Sequence, residues 1–129
     1  MRNLEPETLE YFEHVKEKVA KFFFVDKGII MKSPNRKPEN IYPRQVFIWI
    51  VKLHASIGPA LLGRYLGIDH STILHSFNAV QMQRDIKSNH ILRIASSKML
   101  KDIQTLNDWK MEKGYNCVCD KCGTKIINQ

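Results

Sequence analysis

The stretch from Leu62 to His75 constrains the fold of this chain more than any other. Gly67 suits the position just after a helix, because a residue without a Cβ enters the left-handed backbone region at little cost. Asp69, two residues later, is a favoured N-cap for the next helix. Apolar residues then recur at spacings of four and three and predict one buried stripe: Ile73, Phe77 and Val80. The stretch therefore predicts two helices joined by a tight turn.

The opposite face of the second predicted helix is small and mostly polar at its N-terminal end. It lacks the lysines and glutamates that usually solubilise an exposed helix, and it consists of Ser71, His75, Asn78 and Met82. Such a face suits the major groove of DNA, where an α-helix brings its N-terminal side chains to base edges. Asp, His, Ser and Thr supply the acceptors, donors and methyl groups used there, and Asp69 would accept from a cytosine amino group.

The same stretch resembles the signature Gly-Gly-Arg-Asp-His-Thr-Thr-Val-Leu-His of the C-terminal DNA-binding domain (domain IV) of the bacterial chromosomal replication initiator DnaA. The matching run here is Gly67-Ile68-Asp69-His70-Ser71-Thr72-Ile73-Leu74-His75. The resemblance extends upstream to Gly63, Pro43-Arg44-Gln45 and Arg36, and covers roughly residues 12 to 100. It implies an all-α helix-turn-helix bundle, DnaA C-terminal domain or Trp-repressor-like, that binds short sites in double-stranded DNA sequence-specifically.

The resemblance and the chemistry of the side chains together predict the DNA-binding residues. Arg36 aligns with the family's minor-groove arginine, and a narrow groove concentrates the negative potential that attracts such a side chain. We expect phosphate contacts from Arg44, Gln45 and Lys52, and contacts at or near base edges from Asp69, His70, Ser71, Thr72 and His75. The chain departs from the family at two places. Ile68 stands where the family has arginine, and one residue of the family is missing between Gly67 and Asp69. Pro38 stands where the family has a second loop arginine.

The remaining segments predict helices around the helix-turn-helix, which we place at about residues 58–84. Residues 6 to 24 have the pattern of an amphipathic helix. The pattern of the apolar run 46 to 51 fits a buried helix or a buried strand; we expect a helix, because no second strand is available to pair its backbone. Residues 32 to 40 predict a loop, and residues 88 to 106 a single final helix.

Charge and hydropathy narrow the class of protein. The 129 residues carry a formal charge of +7, and the middle of the chain is its basic part, as expected for a protein that binds a polyanion. No apolar run follows the first residues and nowhere do 18 apolar residues run together, so we expect no signal peptide, no membrane span and a cytoplasmic protein.

Two enzymatic alternatives are disfavoured by the residues themselves. Gly58 and Gly63 have the spacing of a phosphate-binding P-loop, but Arg64 and Tyr65 stand where that loop requires lysine and a magnesium-binding hydroxyl. We therefore expect no nucleotide. A metal-dependent hydrolase would have to use Asp69, His70 and His75, which contact with a DNA groove already explains, and no acid/base pair is suggested elsewhere. We expect a protein that is not an enzyme.

A change of composition divides the chain into a helical DNA-binding domain, residues 1–112, and a cysteine-containing tail, residues 113–129. Cys119 and Cys122 have the spacing of a zinc knuckle, and Cys117 offers a third thiolate. One alternative is a zinc site completed by His14, His90 or a second chain. The other, which we favour, is three reduced thiols and no cofactor. The tail would also offer a contact for a protein partner.

The leading hypothesis is sequence-specific binding of double-stranded DNA by a stand-alone protein of this kind, in replication initiation or its control. The ATPase module of DnaA is not seen in this chain, which fits a phage or mobile-element protein. The alternatives are a transcriptional regulator and a protein-interaction module with a metal-binding cysteine tail.

Overall fold

The computed structural model describes residues 5–30, 38–86 and 90–114. Over these ranges the chain forms six α-helices, a short 3₁₀ turn and no strand, which confirms the predicted all-α class. The helices are α1 (Pro6–Phe23), α2 (Pro38–Ala55), α3 (Pro59–Leu66), α4 (His70–Ile86), α5 (Ile91–Asp102) and α6 (Leu106–Lys113), with the 3₁₀ turn at Lys27–Ile30 between α1 and α2.

Helix α2 lies at the centre of the bundle. Residues 46 to 51 are all buried, and the largest of them, Trp49, exposes 2% of its surface. A helix that is apolar all round needs neighbours all round, and α1, α4, α5 and α6 supply them. The packing confirms the prediction of a helix for this run. In the described ranges, no helix combines the length and the apolar character needed to cross a membrane.

Helix α1 contacts both α2 and α3, the first helix of the helix-turn-helix. It has a proline in its first turn, as predicted, and buries Phe12, Val15 and Val19 completely. The ring of Phe12 meets Phe47 of α2 at 6.0 Å between centroids and Tyr65 of α3 at 4.8 Å. The amphipathic pattern thus places one aromatic side chain of α1 against both neighbouring helices.

The turn between α3 and α4 forms as its sequence predicts. Gly67 has φ 79° and its amide donates to the Gly63 carbonyl at 2.8 Å, the left-handed helix end that glycine permits. Gly63 itself lies against the turn, since a Cβ at this position would be 2.6 Å from the Ile68 carbonyl oxygen. The missing side chain of Gly63 therefore allows α3 to lie close to the backbone of the turn.

Two predictions of element boundaries are wrong. The single final helix is interrupted: α5 ends at Asp102, Ile103 is extended (φ −115°, ψ 124°), and Thr105 caps α6 by accepting from the Asp108 amide at 3.2 Å. A threonine hydroxyl that satisfies an otherwise unpaired amide favours a new helix start at this point. Residues 38 to 40 belong to α2 instead of a loop, because Pro38 is tolerated at the first position of a helix.

Several sequence predictions lie outside the described residues. They concern Arg36 and the rest of the loop up to residue 37, the start of the final helix at Ser88 and Asn89, and the tail with Cys117, Cys119 and Cys122. Helix α5 begins after His90, whose Nδ1 accepts from the Leu92 amide at 3.1 Å.

Candidate nucleic-acid interface

The first two turns of α4 carry polar side chains on the surface away from the core. His70, Ser71, Thr72 and His75 are all exposed. Between them Ile73 has no exposed surface and anchors the same turns to the bundle. The sequence prediction that one face packs and the other stays open is confirmed for this half of the helix. The open face is polar, and it lies on an α-helix, an element that the major groove of DNA can admit.

Asp69 caps α4, as its position after Gly67 predicts. Its Oδ2 accepts from the Ser71 amide at 3.1 Å and also from the Ser71 hydroxyl. These two hydrogen bonds from Ser71, the hydroxyl first, hold the pKa of Asp69 below its usual value. The other oxygen, Oδ1, faces His70 at 3.9 Å from Nδ1. One carboxylate oxygen of Asp69 therefore caps α4, and the other faces the exposed side chain of His70.

Lys52 is the predicted phosphate-binding residue of α2 that lies beside α4. Its Nζ is 5.5 Å from the centroid of the Phe77 ring, a cation–π distance. The side chain is half-buried along its length, and a lysine of this kind can cover apolar surface with its methylenes while its ammonium stays near solvent. The structure thus brings Lys52 and α4 together.

Arg44 and Gln45 lie toward the other end of α4. Two contacts fix the direction of the helices: Lys52 with Phe77, and Trp49 with Gln81. Residue numbers fall along α2 as they rise along α4, so the two helices run antiparallel. Arg44 is half-buried, and its Nε donates to the Ile30 carbonyl at 3.0 Å. The Oε1 of Gln45 is buried and has no hydrogen-bond partner among the described residues.

The match to a known family settles what kind of domain this is. The sequence profile described as the bacterial DnaA protein helix-turn-helix matches residues 12–80, more than half of the chain. The chain belongs to this family. The DnaA helix-turn-helix is a DNA-binding domain and not a catalytic one. No curated protein and no solved structure matches the chain significantly.

The match to the DnaA helix-turn-helix covers some of the bundle and not all of it. It includes most of α1, all of α2 and α3, and α4 as far as its last buried apolar residue, Val80. Helices α5 and α6 fall beyond it, although they cover part of α2. The predicted site residues all lie within the matched range.

Leu74 is an exposed residue of α4 that the sequence prediction of the site left out. Leu74 exposes 42% of its surface between the buried Ile73 and the exposed His75. An apolar side chain on a groove-facing helix can contact the methyl group of thymine. The signal was present in the sequence, because Leu74 falls outside the stripe formed by Ile73, Phe77 and Val80.

Proposed function

We propose that this protein binds short sites in double-stranded DNA sequence-specifically, with α4 in the major groove. The observation that carries the proposal is the polar, exposed N-terminal half of α4, held by Ile73 on its inner side, in a chain of the DnaA helix-turn-helix family. A groove-reading helix needs such a face, since its first side chains make the contacts with base edges.

The proposed contacts fall into two groups: those that give sequence specificity and those that position the protein on the duplex. Base edges are read by His70, Ser71, Thr72 and His75, by Leu74 on a thymine methyl, and by the Oδ1 of Asp69. Phosphates are held by Lys52 beside α4 and by Arg44 and Gln45 farther along α2, and Arg36 enters the minor groove. Phosphate contacts fix the register of a protein on the duplex, and base contacts give the sequence preference.

We further propose that this binding serves replication initiation or its control in the cytoplasm, without a nucleotide cofactor. The support is the family, whose name is that of the DnaA protein. A transcriptional regulator would use the same surface on different sites. The DNA sequence that is bound separates these two roles, because a replication protein of this family should prefer a site that resembles the initiator's own.

The test is selection of bound duplexes from a random pool at about 0.15 M salt, close to physiological ionic strength, followed by affinity measurements. We expect one short motif to be enriched. A motif similar to the sites of the initiator supports the replication role, and an unrelated motif supports a regulator. Strong binding without any enrichment would contradict sequence specificity.

His70 provides the sharpest single-residue test of this surface. His70→Ala should cost about 1–3 kcal/mol on the selected duplex and little on a scrambled one, since it removes a contact with base edges. Asn107→Ala is the control, because Asn107 is an exposed side chain on α6 and should change neither affinity. Equal losses of affinity on both duplexes would show that His70 contacts only the backbone of the DNA.

A further inference from the structure

The two halves of α4 are held to the bundle in different ways. The buried apolar residues of this helix are Ile73 and Val80. Every residue after Val80 is half-buried or exposed: Gln81, Met82, Gln83, Arg84, Asp85 and Ile86. The fully buried apolar contacts of α4 therefore end at Val80, and beyond it polar contacts contribute to setting the tilt of the helix.

Arg84 makes polar contacts with two neighbouring helices at once. Its Cζ lies 4.8 Å from the centroid of the Trp49 ring on α2, a cation–π contact. Its Nη1 donates to the hydroxyls of Ser96 at 2.9 Å and Ser97 at 3.1 Å on α5. One planar guanidinium therefore ties the C-terminal half of α4 to α2 and to α5.

The partners of Arg84 are themselves fixed. The Ser96 hydroxyl is buried and donates to the Arg93 carbonyl at 3.1 Å, so its oxygen is oriented to accept from Arg84. The indole Nε1 of Trp49 donates to Oε1 of Gln81 at 2.7 Å, which adds a second contact between Trp49 and α4. A group held by fixed partners is a rigid reference point, as a precise binding site requires.

Because α4 is long, a small tilt of the helix near Arg84 causes a larger displacement of its N-terminal residues, which we place at the DNA. His70 is ten residues from Val80, roughly 15 Å at the rise of an α-helix. A tilt of about 5° around Val80 shifts Ile73 by about 0.9 Å within the core and His70 by about 1.3 Å, more than the roughly 0.5 Å that a binding site tolerates. Hydrogen bonds to bases are lost over such a shift, whereas attraction to phosphates changes slowly with distance.

We propose that Arg84 is a positioning residue: through Trp49, Ser96 and Ser97 it sets the angle at which α4 enters the major groove. It acts on the discrimination between DNA sites and not on general affinity for DNA. The inference rests on the proposed function, and it assigns a specificity role to contacts with α5, which lies beyond the range matched by the family.

The test uses the full chain and compares Arg84→Met with Lys101→Met. The methionine at position 84 keeps a long apolar side chain on Trp49 and removes the guanidinium. Lys101 is an exposed residue in the last turn of α5, so its substitution removes the same charge without a contact between helices. Affinities for the selected and a scrambled duplex are measured at one salt concentration and at a temperature where circular dichroism shows both variants folded.

We expect Arg84→Met to lower the ratio of the two affinities by about tenfold or more, the effect of one mismatched base pair. Its affinity for the scrambled duplex should match that of Lys101→Met. Arg84→Lys should recover only part of the ratio, because an ammonium lacks the planar fork of donors. Ser97→Ala, which removes one hydrogen bond at a half-buried position, provides a milder variant and should lower the ratio by a smaller factor.

Three results would overturn the inference. The first is an unchanged ratio in both Arg84→Met and Ser97→Ala. The second is an equal loss on both duplexes with a salt dependence lowered by about one phosphate contact, which would make Arg84 a phosphate ligand. The third is full recovery of the ratio by Arg84→Lys. If the parent protein itself fails to discriminate between the duplexes, the proposed function fails first and the inference fails with it.

Discussion

Gly63 shows how the absence of one side chain sets the spacing between α3 and α4. A Cβ there would meet the Ile68 carbonyl oxygen at 2.6 Å, and a backbone atom cannot rotate out of the way. We expect Gly63→Ala to lower the free energy of unfolding by about 1–3 kcal/mol, as overpacking does. Urea denaturation measures this change.

Gly58→Ala is the matched control for that substitution. Gly58 has φ −68° at the start of α3, and a Cβ there would meet nothing within 4 Å. Its substitution meets no neighbouring atom and should cost only the preference for glycine over alanine at a helix N-cap, roughly 0.5 kcal/mol. If Gly63→Ala proves as stable as Gly58→Ala, the contact with the turn does not limit the packing of α3 on α4.

Asp69 combines a structural role with a proposed contact to DNA, and two substitutions separate them. Asparagine is as good an N-cap as aspartate, so Asp69→Asn should keep the melting temperature but reduce discrimination at one cytosine of the selected site, because its amide nitrogen donates. Asp69→Ala should lower both the melting temperature and the affinity. Unchanged discrimination in Asp69→Asn, measured with single-base variants of the duplex, would leave Asp69 with the cap alone.

The candidate site could be predicted where local rules decide and not where packing does. Gly67 and Asp69 were predictable, since helix ends follow from backbone freedom and from capping hydrogen bonds within a few residues. The buried Oε1 of Gln45 and the hydrogen bond from Arg44 to the Ile30 carbonyl were not, because they depend on how α2 is rotated in the bundle. When a helix is apolar all round, the spacing of its apolar residues does not indicate which of its faces lies against which neighbouring helix.

Among the helices, the break between α5 and α6 was the least predictable feature. The apolar stripe of the sequence continues across it, since Ile103 exposes 2% of its surface although it is extended, and Leu106 packs on the core. Both sides of the break bury apolar residues, so the spacing of apolar residues alone predicts one continuous helix. The capping threonine at position 105 was the signal that distinguishes two helices from one.

Helix α6 is the element whose packing should depend on pH. The ring of His14 on α1 lies tilted against Trp109 of α6, with ring centroids 6.1 Å apart, and His54 of α2 lies near Asp108. Burial lowers the pKa of both histidines; Lys18 and Lys113 lower it further at His14, against Glu17 and Glu112. At His54 a hydrogen bond with the Ile103 backbone and the charge of Asp108 oppose the effect of burial.

Because the folded pKa of each histidine lies below its unfolded value of 6.5, the folded state favours the neutral ring. The stabilisation that comes from each neutral histidine ring is complete above pH 6.5. It is lost as the pH falls from there through the folded pKa. We expect the urea midpoint to fall between about pH 7.5 and about pH 5.5. The variant His14→Gln/His54→Gln should show a smaller fall. An equal fall would assign the pH dependence to other groups.

For the whole molecule, the proposed phosphate contacts predict how binding responds to salt. The three charged side chains proposed to contact the duplex, Arg36, Arg44 and Lys52, give a slope of log K against log salt of about −3. Lys52→Met should make the slope less steep by about 0.9, the share of one contact, whereas Lys101→Met, on an exposed part of α5, should leave it unchanged. A slope near zero in the parent protein would exclude this mode of binding.

The order of the helices along the chain has a consequence for synthesis. The turns of α4 proposed to read DNA and the α2 helix beneath them leave the ribosome before Ser96 and Ser97 do, because they precede them in the chain. Until α5 has also emerged, the guanidinium of Arg84 has only one of its two neighbouring helices to bind. A nascent or prematurely ended chain would therefore carry the proposed reading surface without its full support, and we expect it to bind DNA with less discrimination between sites.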